Sequence, residues 1–270
     1  MLYKTWVRFL KFLLIHVYHI NTPDKKKAKL YNAINPVYEA SIIGEHIRLS
    51  CRNSMVFKRC ETFLSKEPET IEWISTFAPG ETLFDIGANI GLYSLFAAMS
   101  GGRVVAFEPE SQNYAVLNAN IHLNSLDENI TCINIALSNR VGLDYLYVPV
   151  FSSGTSFNQL GFSPQPVSEQ LRSGFKQAVL SYTLDSFIES FPGFFPNHIK
   201  IDVDGIEAKI ISGASRTMAN TYLKSMLVEL NLNLKEDEEA IQFILANGFT
   251  VLSRSLKVGS PGVYNYIFKR

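Results

Sequence analysis

The sequence predicts an α/β fold: a mostly parallel sheet covered by helices on both faces, with its last strand reversed. Three observations carry this expectation. Short apolar runs alternate with segments of helical spacing through most of the chain, and repeated βα units return each strand parallel to the one before it. One of these units has its ligand edge marked: Leu83-Phe84-Asp85-Ile86 ends in Gly87-Ala88-Asn89-Ile90-Gly91, gives way to the helical pattern Leu92, Leu95, Phe96, Met99, and returns as Val104-Val105-Ala106-Phe107-Glu108. Finally, the runs at 249–254 and Val263 to Phe268 are joined only by Ser255 to Gly262. That is too short for a crossover, so these strands pair as an antiparallel hairpin.

The remaining elements follow in order. Within residues 31–64 the alternation from Ile42 to Leu49 suits a small hairpin. Pro68 and the acids around it open a helix carrying Ile71, Ile74 and Phe77 at helical spacing, which leads into a strand at 82–86. Strand 103–108, helix 111–124, strands 130–136 and 143–148, a helix near 184–190, strand 198–203, helix 206–219, strand 225–230 and helix 236–246 complete the pattern. Residues 151–177 interrupt it with Ser, Gly, Pro and Gln and weak periodicity. A loop of that length reads as a lid or binding loop, or as a surface insertion. The expected organisation is a small N-terminal preamble, 1–60, before a main domain, 61–270.

The chain has 270 residues, 47% of them hydrophobic, enough for a sizeable core. Its 25 basic and 25 acidic residues cancel, so no global field favours nucleic acid, and no nucleic-acid partner is expected. Cys51, Cys60 and Cys132 show neither CxxC spacing nor His partners at metal-ligand intervals; they read as buried small hydrophobes in a reducing compartment. From Leu2 to Ile20 the chain is apolar, with Lys4, Arg8 and Lys11 on one helical face and Asn21 to Lys27 as a charged linker. His16 and His19 interrupt the apolar run short of the roughly 20 residues a membrane span needs. An amphipathic helix is expected, packed on the domain or a neighbouring subunit, or making peripheral membrane contact through residues 1–22. The expected location is cytoplasmic, membrane-associated in the second case.

Gly87 and Gly91 give a strand-to-helix turn the φ freedom and close approach a ligand requires. Glu108 at the next strand end would accept from two ribose hydroxyls. A pyrophosphate cofactor wants a middle glycine, where Asn89 stands, and would be repelled by Asp85. That aspartate suits the ammonium and sulfonium of S-adenosyl-L-methionine (SAM). An ordinary strand turn explains the glycines alone, and explains Glu108 poorly.

Several further segments match a known pattern: Ser65-Lys66-Glu67-Pro68-Glu69-Thr70, Phe84 to Gly91, Ala106-Phe107-Glu108-Pro109, Ala136-Leu137-Ser138, and Ile199 to Glu207 with Gly213-Ala214. As a set, in this order over about residues 60–268, the sequence resembles the FkbM family of SAM-dependent methyltransferases. The resemblance implies a seven-stranded Rossmann-like class I methyltransferase sheet with a reversed last strand, and methyl transfer to oxygen, commonly a hydroxyl of a sugar, glycan or secondary metabolite. It also implies that Asp85, Gly87, Asn89 and Gly91 form the methionine-side loop, that Glu108 is the ribose acid, that Ala136 and Ser138 lie at the adenine edge, and that Asp202 lies where the transferred methyl emerges. The first 60 residues match less well, and the acceptor is not implied.

Ligands of an open α/β sheet bind beyond the carboxyl ends of its strands, which makes Asp202, Asp204, Glu229 and Asn231 candidates. His198 opens its strand at the opposite edge and reads as structural, while Glu207 in a first helical turn suits either the site or the helix dipole. Asp202 is the expected catalytic residue, as the proton acceptor from an alcohol. The less favoured course is a divalent metal ion on Asp202 and Glu229. A small-molecule or glycan acceptor is expected, and a non-catalytic SAM-binding or scaffolding protein is the rival from another class.

Overall fold

A computed structural model describes residues 36–270, apart from Ile43, residues 162–173 and Val258. The expected N-terminal helix and linker, and the middle of the expected loop at 151–177, lie outside the described residues. No helix among the described residues is long and apolar enough to cross a membrane.

The elements in chain order are β1 (Val37–Ile42), β2 (Glu45–Ser50), α1 (Ser54–Lys66), α2 (Pro68–Ile74), β3 (Thr82–Ile86), α3 (Leu92–Met99), β4 (Arg103–Phe107), α4 (Ser111–Leu123), β5 (Ile130–Ile133), β6 (Ala136–Leu137), β7 (Gly142–Val148), β8 (Gln159–Leu160), β9 (Phe175–Tyr182), α5 (Leu184–Ser190), β10 (His198–Ile201), α6 (Glu207–Ser212), α7 (Ser215–Ala219), β11 (Ser225–Asn231), α8 (Lys235–Ala246), β12 (Thr250–Leu256) and β13 (Val263–Lys269). The main sheet has seven strands in the order β12-β13-β11-β10-β3-β4-β5. Only β13 runs against its neighbours, pairing antiparallel with both β11 and β12. The expected closing hairpin therefore sits at one side of the sheet. Chain order reverses between β3 and β10, and the carboxyl ends of these two strands open the crevice where a ligand binds.

Strand alternation fills both faces. Leu83, Val104, Ala106 and Leu227 enter one core with helices α1 to α4; Phe84, Ile86, Val105, Phe107, Ile199, Ile201, Met226 and Val228 enter the other with α5 to α8. Two positions of the first face are charged instead: Asp85 on β3 and Lys200 on β10 stand in register and are buried. They lie directly beneath the crevice.

The packing differs from the expectations in four places. Residues 38–60 do not stand apart from the main domain: residues 38–270 form one compact unit, because Ile47, Leu49, Val56, Cys60 and Phe63 share a core with Leu95 and Phe96. The run at 130–136 serves two sheets, β5 in the main one and β6 in a second, four-stranded sheet of order β6-β9-β7-β8. β7 also belongs there, paired antiparallel with β9. β9 gives no clear strand signal because its outward residues Ala178 and Leu180 are apolar and exposed, which blurs the inside-outside alternation a strand is read from. The helix expected at 206–219 breaks into α6 and α7 at Gly213, whose Cβ position is taken by the Ser138 carbonyl oxygen.

His198 lies at the amino edge of β10. Nε2 contacts Glu81 at 2.8 Å, Nδ1 contacts Ser225 Oγ at 2.7 Å, and the ring stacks on Phe77 with centroids 3.6 Å apart. These partners fit its structural reading. On the second face, Phe84, Phe107 and Phe187 meet with centroids 5.0–6.2 Å apart. Phe84→Ala should lower unfolding free energy by about 3–5 kcal/mol, measured by urea denaturation. A loss below about 1 kcal/mol would show that the cluster refills the void.

Candidate active site

The turn after β3 builds the floor of the crevice. Gly87 and Gly91 have φ of 83° and 84°, and Asn89 has φ of 52°. Asparagine tolerates this left-handed conformation because its short amide bonds locally, here accepting from the Ile90 N–H at 3.0 Å. The two glycines serve different ends. A Cβ at Gly87 would overlap the Asp202 carbonyl oxygen, so its absence lets the β3 and β10 ends close up; a Cβ at Gly91 would strike Leu117 of α4, which makes Gly91 a packing residue.

Over this floor lies a cavity of about 360 Å³, within the range of small-molecule sites. Gly87, Asn89, Glu108, Asp202 and Asp204 line it, with Ile135, Ala136 and Leu137 as an apolar wall and Lys58, Arg59, Thr62 and Lys66 of α1 on another side. A smaller cavity of about 60 Å³ shares Arg59, Lys66, Gly87, Asn89 and Asp202 with it and reaches Tyr93 and Lys200.

Glu108 is held by two backbone donors, Asn89 N–H to Oε2 at 2.7 Å and Glu110 N–H to Oε1 at 2.9 Å. Burial nonetheless pushes its carboxyl up to about 8, with the charges of Glu110 and Asp204 adding to the rise against these two bonds. Two strands along the sheet, β10 supplies a charge cluster. Lys200 Nζ donates to Asp202 Oδ2 at 2.9 Å and lies 5.0 Å from the Tyr93 ring centroid. Burial works against the Lys200 ammonium, but the charges of Asp202, Asp85 and Glu67 outweigh it and keep the amine above its ordinary value. Burial would raise the Asp202 carboxyl; Lys200, with Lys257, instead holds it well below the usual carboxylate range.

The expected site residues divide. Gly87, Asn89, Glu108, Ala136 and Asp202 line the cavity. Asp85 does not: it is buried one layer below, with Oδ2 accepting from Ser94 Oγ at 2.6 Å and Oδ1 without a hydrogen-bond partner. Burial raises its pKa against the charge of Lys200. Ser138 also lies off the cavity, its N–H donating to the Tyr182 carbonyl in the second sheet. Glu229 is paired with Lys257, and Asn231 accepts from the Asn233 N–H in its own turn. Glu207 is buried in the first turn of α6, away from both cavities, its carboxyl raised by burial and by the charges of Asp237 and Glu229.

The irregular segment expected as a lid or binding loop reaches the cavity near its start. The loop 150–158 roofs the cavity with Thr155, Ser156, Phe157 and Asn158. It is pinned by side chains from four directions: Asn53 donates to the Ser153 carbonyl at 2.9 Å, Arg59 Nε to the Gly154 carbonyl at 2.5 Å, Asn89 to the Thr155 carbonyl at 2.9 Å, and the Gly154 N–H donates to Asn113 Oδ1 at 2.7 Å. Asp204 Oδ2 accepts from the Asn158 N–H at 2.9 Å. This supports Phe157, which has φ of 68° and an exposed ring, a strained conformation for a bulky residue. Lys200 shows in the sequence as a lysine inside the apolar strand Ile199-Lys200-Ile201.

The donor set suits SAM. Glu108 offers acceptor oxygens beside an apolar wall, and the unsatisfied Asp85 Oδ1 adds negative character beneath the floor. It does not suit a metal held by Asp202 and Glu229, since each is already paired with a lysine, and no cluster of three or more His, Cys, Asp or Glu side chains fit for a metal occurs among the described residues.

The Glu108 shift has a sign that can be checked. Its folded pKa of about 8 exceeds the ordinary value of 4.5, so between these the native state holds a proton the unfolded chain has lost, and stability falls as pH rises. Urea midpoints of the ligand-free protein should fall from pH 5 to pH 8, and Glu108→Gln should flatten the fall. Parallel profiles for the two proteins would show that Glu108 is not the group responsible.

Comparison with known proteins gives the family and the fold. The family model described as the methyltransferase FkbM domain matches residues 85–251, more than half of the chain. The 31-O-demethyl-FK506 methyltransferase FkbM of Streptomyces tacrolimicus is 50% identical over 44 residues, which are 16% of this chain and 17% of that protein's length. Among solved structures, a Streptococcus mutans protein assigned as a SAM-dependent methyltransferase matches 87% of this chain and 55% of its own with a TM-score of 0.50 at 12% identity, a likeness of fold. The precorrin-6y C5,15-methyltransferase of Geobacter metallireducens GS-15 matches 76% of this chain and 86% of its own, with a TM-score of 0.44 at 15% identity. By its sheet order, its glycine turn and the extent of the family match, the chain belongs to the FkbM methyltransferase family.

Proposed function

We propose that the protein transfers a methyl group from SAM to a hydroxyl oxygen of a small-molecule or glycan acceptor. The observation that carries this reading is the single cavity in which an apolar wall, the Glu108 carboxyl group and Asp202 lie in sequence beyond the carboxyl ends of β5, β4 and β10. Bound SAM supplies an electrophilic methyl group on a sulfonium centre. The chain's own residues then have three tasks. Glu108 accepts from the ribose hydroxyls, Ile135 and Ala136 pack against the base, and Asp202 faces the acceptor hydroxyl. Asn158 lines the same cavity with a buried Oδ1 that has no hydrogen-bond partner, a natural acceptor for a second hydroxyl of the substrate.

The ion pair with Lys200 makes Asp202 a weak base toward a free alcohol. Its oxygen is therefore assigned to orienting the hydroxyl and taking the proton late, as the new C–O bond forms and that oxygen becomes acidic. Oxygen as the methylated atom follows the activity in the name of the S. tacrolimicus relative.

Two measurements test the reading. Calorimetry should detect SAM and S-adenosylhomocysteine but not NAD, and NAD binding without a SAM response would overturn the cofactor. With labelled methyl transfer into cell extracts to reveal an acceptor, Asp202→Asn should lower kcat by roughly 10²-fold while leaving SAM affinity within a few fold. Full activity in that variant would remove Asp202 from the chemistry.

A further inference from the structure

We propose that Arg59 and Lys66 of α1 bind the α-carboxylate of the methionine tail of SAM, so that a helix outside the matched family segment completes the cofactor site. The inference rests on the SAM reading above and adds a binding subsite to it.

Position comes first. With the ribose on Glu108 and the base along Ile135 and Ala136, the 5′ side of the nucleoside crosses Gly87 toward the smaller cavity, whose walls include Arg59, Lys66, Asn89 and Asp202. Arg59, Thr62 and Lys66 stand at i, i+3 and i+7 on α1 and so share one face. That face meets the cavities, while Val56, Cys60 and Phe63 anchor the helix in the core.

Charge comes second. The tail ends in a carboxylate, which needs a cation when taken out of water. Lys200, the cation at the floor of the smaller cavity, is committed to Asp202. Arg59 is half-buried, and its only hydrogen bond among the described residues runs from Nε to the Gly154 carbonyl. No carboxylate among the described residues lies within ion-pair distance of it. The two terminal guanidinium nitrogens are the fork that recognises a carboxylate. Lys66, half-exposed and paired with Glu67 at 2.7 Å, adds positive charge on the same wall. Because the Arg59 guanidinium also holds Gly154, a carboxylate bound there braces the loop 150–158 over the crevice.

Two ligands isolate the subsite: S-adenosylhomocysteine, and 5′-methylthioadenosine, which keeps the nucleoside and thioether but lacks the amino-acid tail. By calorimetry on the full chain, Arg59→Gln should weaken S-adenosylhomocysteine by about tenfold or more, the scale of a charge-assisted hydrogen bond, and leave 5′-methylthioadenosine unchanged. Lys66→Gln should show the same selectivity with a smaller loss, and it carries the test if Arg59→Gln fails to fold. Equal weakening of both ligands, or no change in either, overturns the proposal by assigning these residues to the loop or to the surface. A wild-type protein that binds neither ligand overturns the SAM reading itself.

Discussion

The buried ammonium of Lys200 is the constraint on which the site depends. It occupies a strand position that alternation would otherwise give to the core, in register with Asp85 and bonded to Asp202. Without it, three carboxylates, Asp85, Asp202 and Glu67, would crowd one low-dielectric region with no internal cation. Breaking such a buried pair typically costs about 3–5 kcal/mol, because the remaining charge is left uncompensated. The cluster sets the electrostatics of the crevice as well. One ammonium among several acids leaves negative character under the turn at Gly87, which suits a ligand carrying a sulfonium and an ammonium and disfavours a pyrophosphate.

The loop 150–158 is held by the same logic of satisfied polar groups. Its stretch between Phe151 and Asn158 has no strand partner, so its carbonyls and N–H groups need side chains or water. Asn53, Arg59, Asn89 and Asn113 supply them from α1, its cap, the β3 turn and α4. Asn53 does this while also capping α1 through the Val56 N–H at 2.8 Å. Elements far apart in the sequence thus converge on one short loop, and its conformation depends on all of them. The positive φ of Phe157 persists because Asp204 fixes the next N–H.

This convergence explains what could be read from the sequence. The seven-stranded sheet was legible because its central strands β3, β4, β10 and β11 are buried on both faces and bounded by turn signals, and the closing hairpin because Ser255 to Gly262 leaves no room for a crossover. Gly87, Asn89 and Glu108 were legible for a local reason: a turn and the next strand end encode them within one βαβ unit. Asp85 lies one layer lower than its place in the motif suggests, since sequence marks which strand end a carboxylate occupies but not whether a residue six positions before the turn's last glycine looks up or down. The loop 150–158 was legible as an irregular binding segment but not in its seating, and Arg59 not at all, because the Arg59 contact to Gly154 crosses roughly a hundred positions of sequence, a separation that no local periodicity reports. The second sheet failed for another reason, its exposed apolar residues removing the contrast between faces.

For the proposed reaction, the state of Asp202 decides where the catalytic advantage has to come from. General base assistance typically gives 10²–10⁴-fold, and a carboxylate held below its usual range by Lys200 lies at the weak end of that scale. Alignment of two reacting groups can supply roughly 7–11 kcal/mol, more than the largest of those factors. A site with a locked aspartate, a pinned roof and a floor closed by Gly87 against the Asp202 backbone is built for alignment. The ion pair that weakens Asp202 as a base is what fixes its oxygen in place, since Lys200 is rigidly buried in β10 and cannot follow a moving carboxylate. On this fold the same lysine therefore trades base strength for position, and the reaction assigned to the crevice, in which the sulfonium is already a strong electrophile, needs position more.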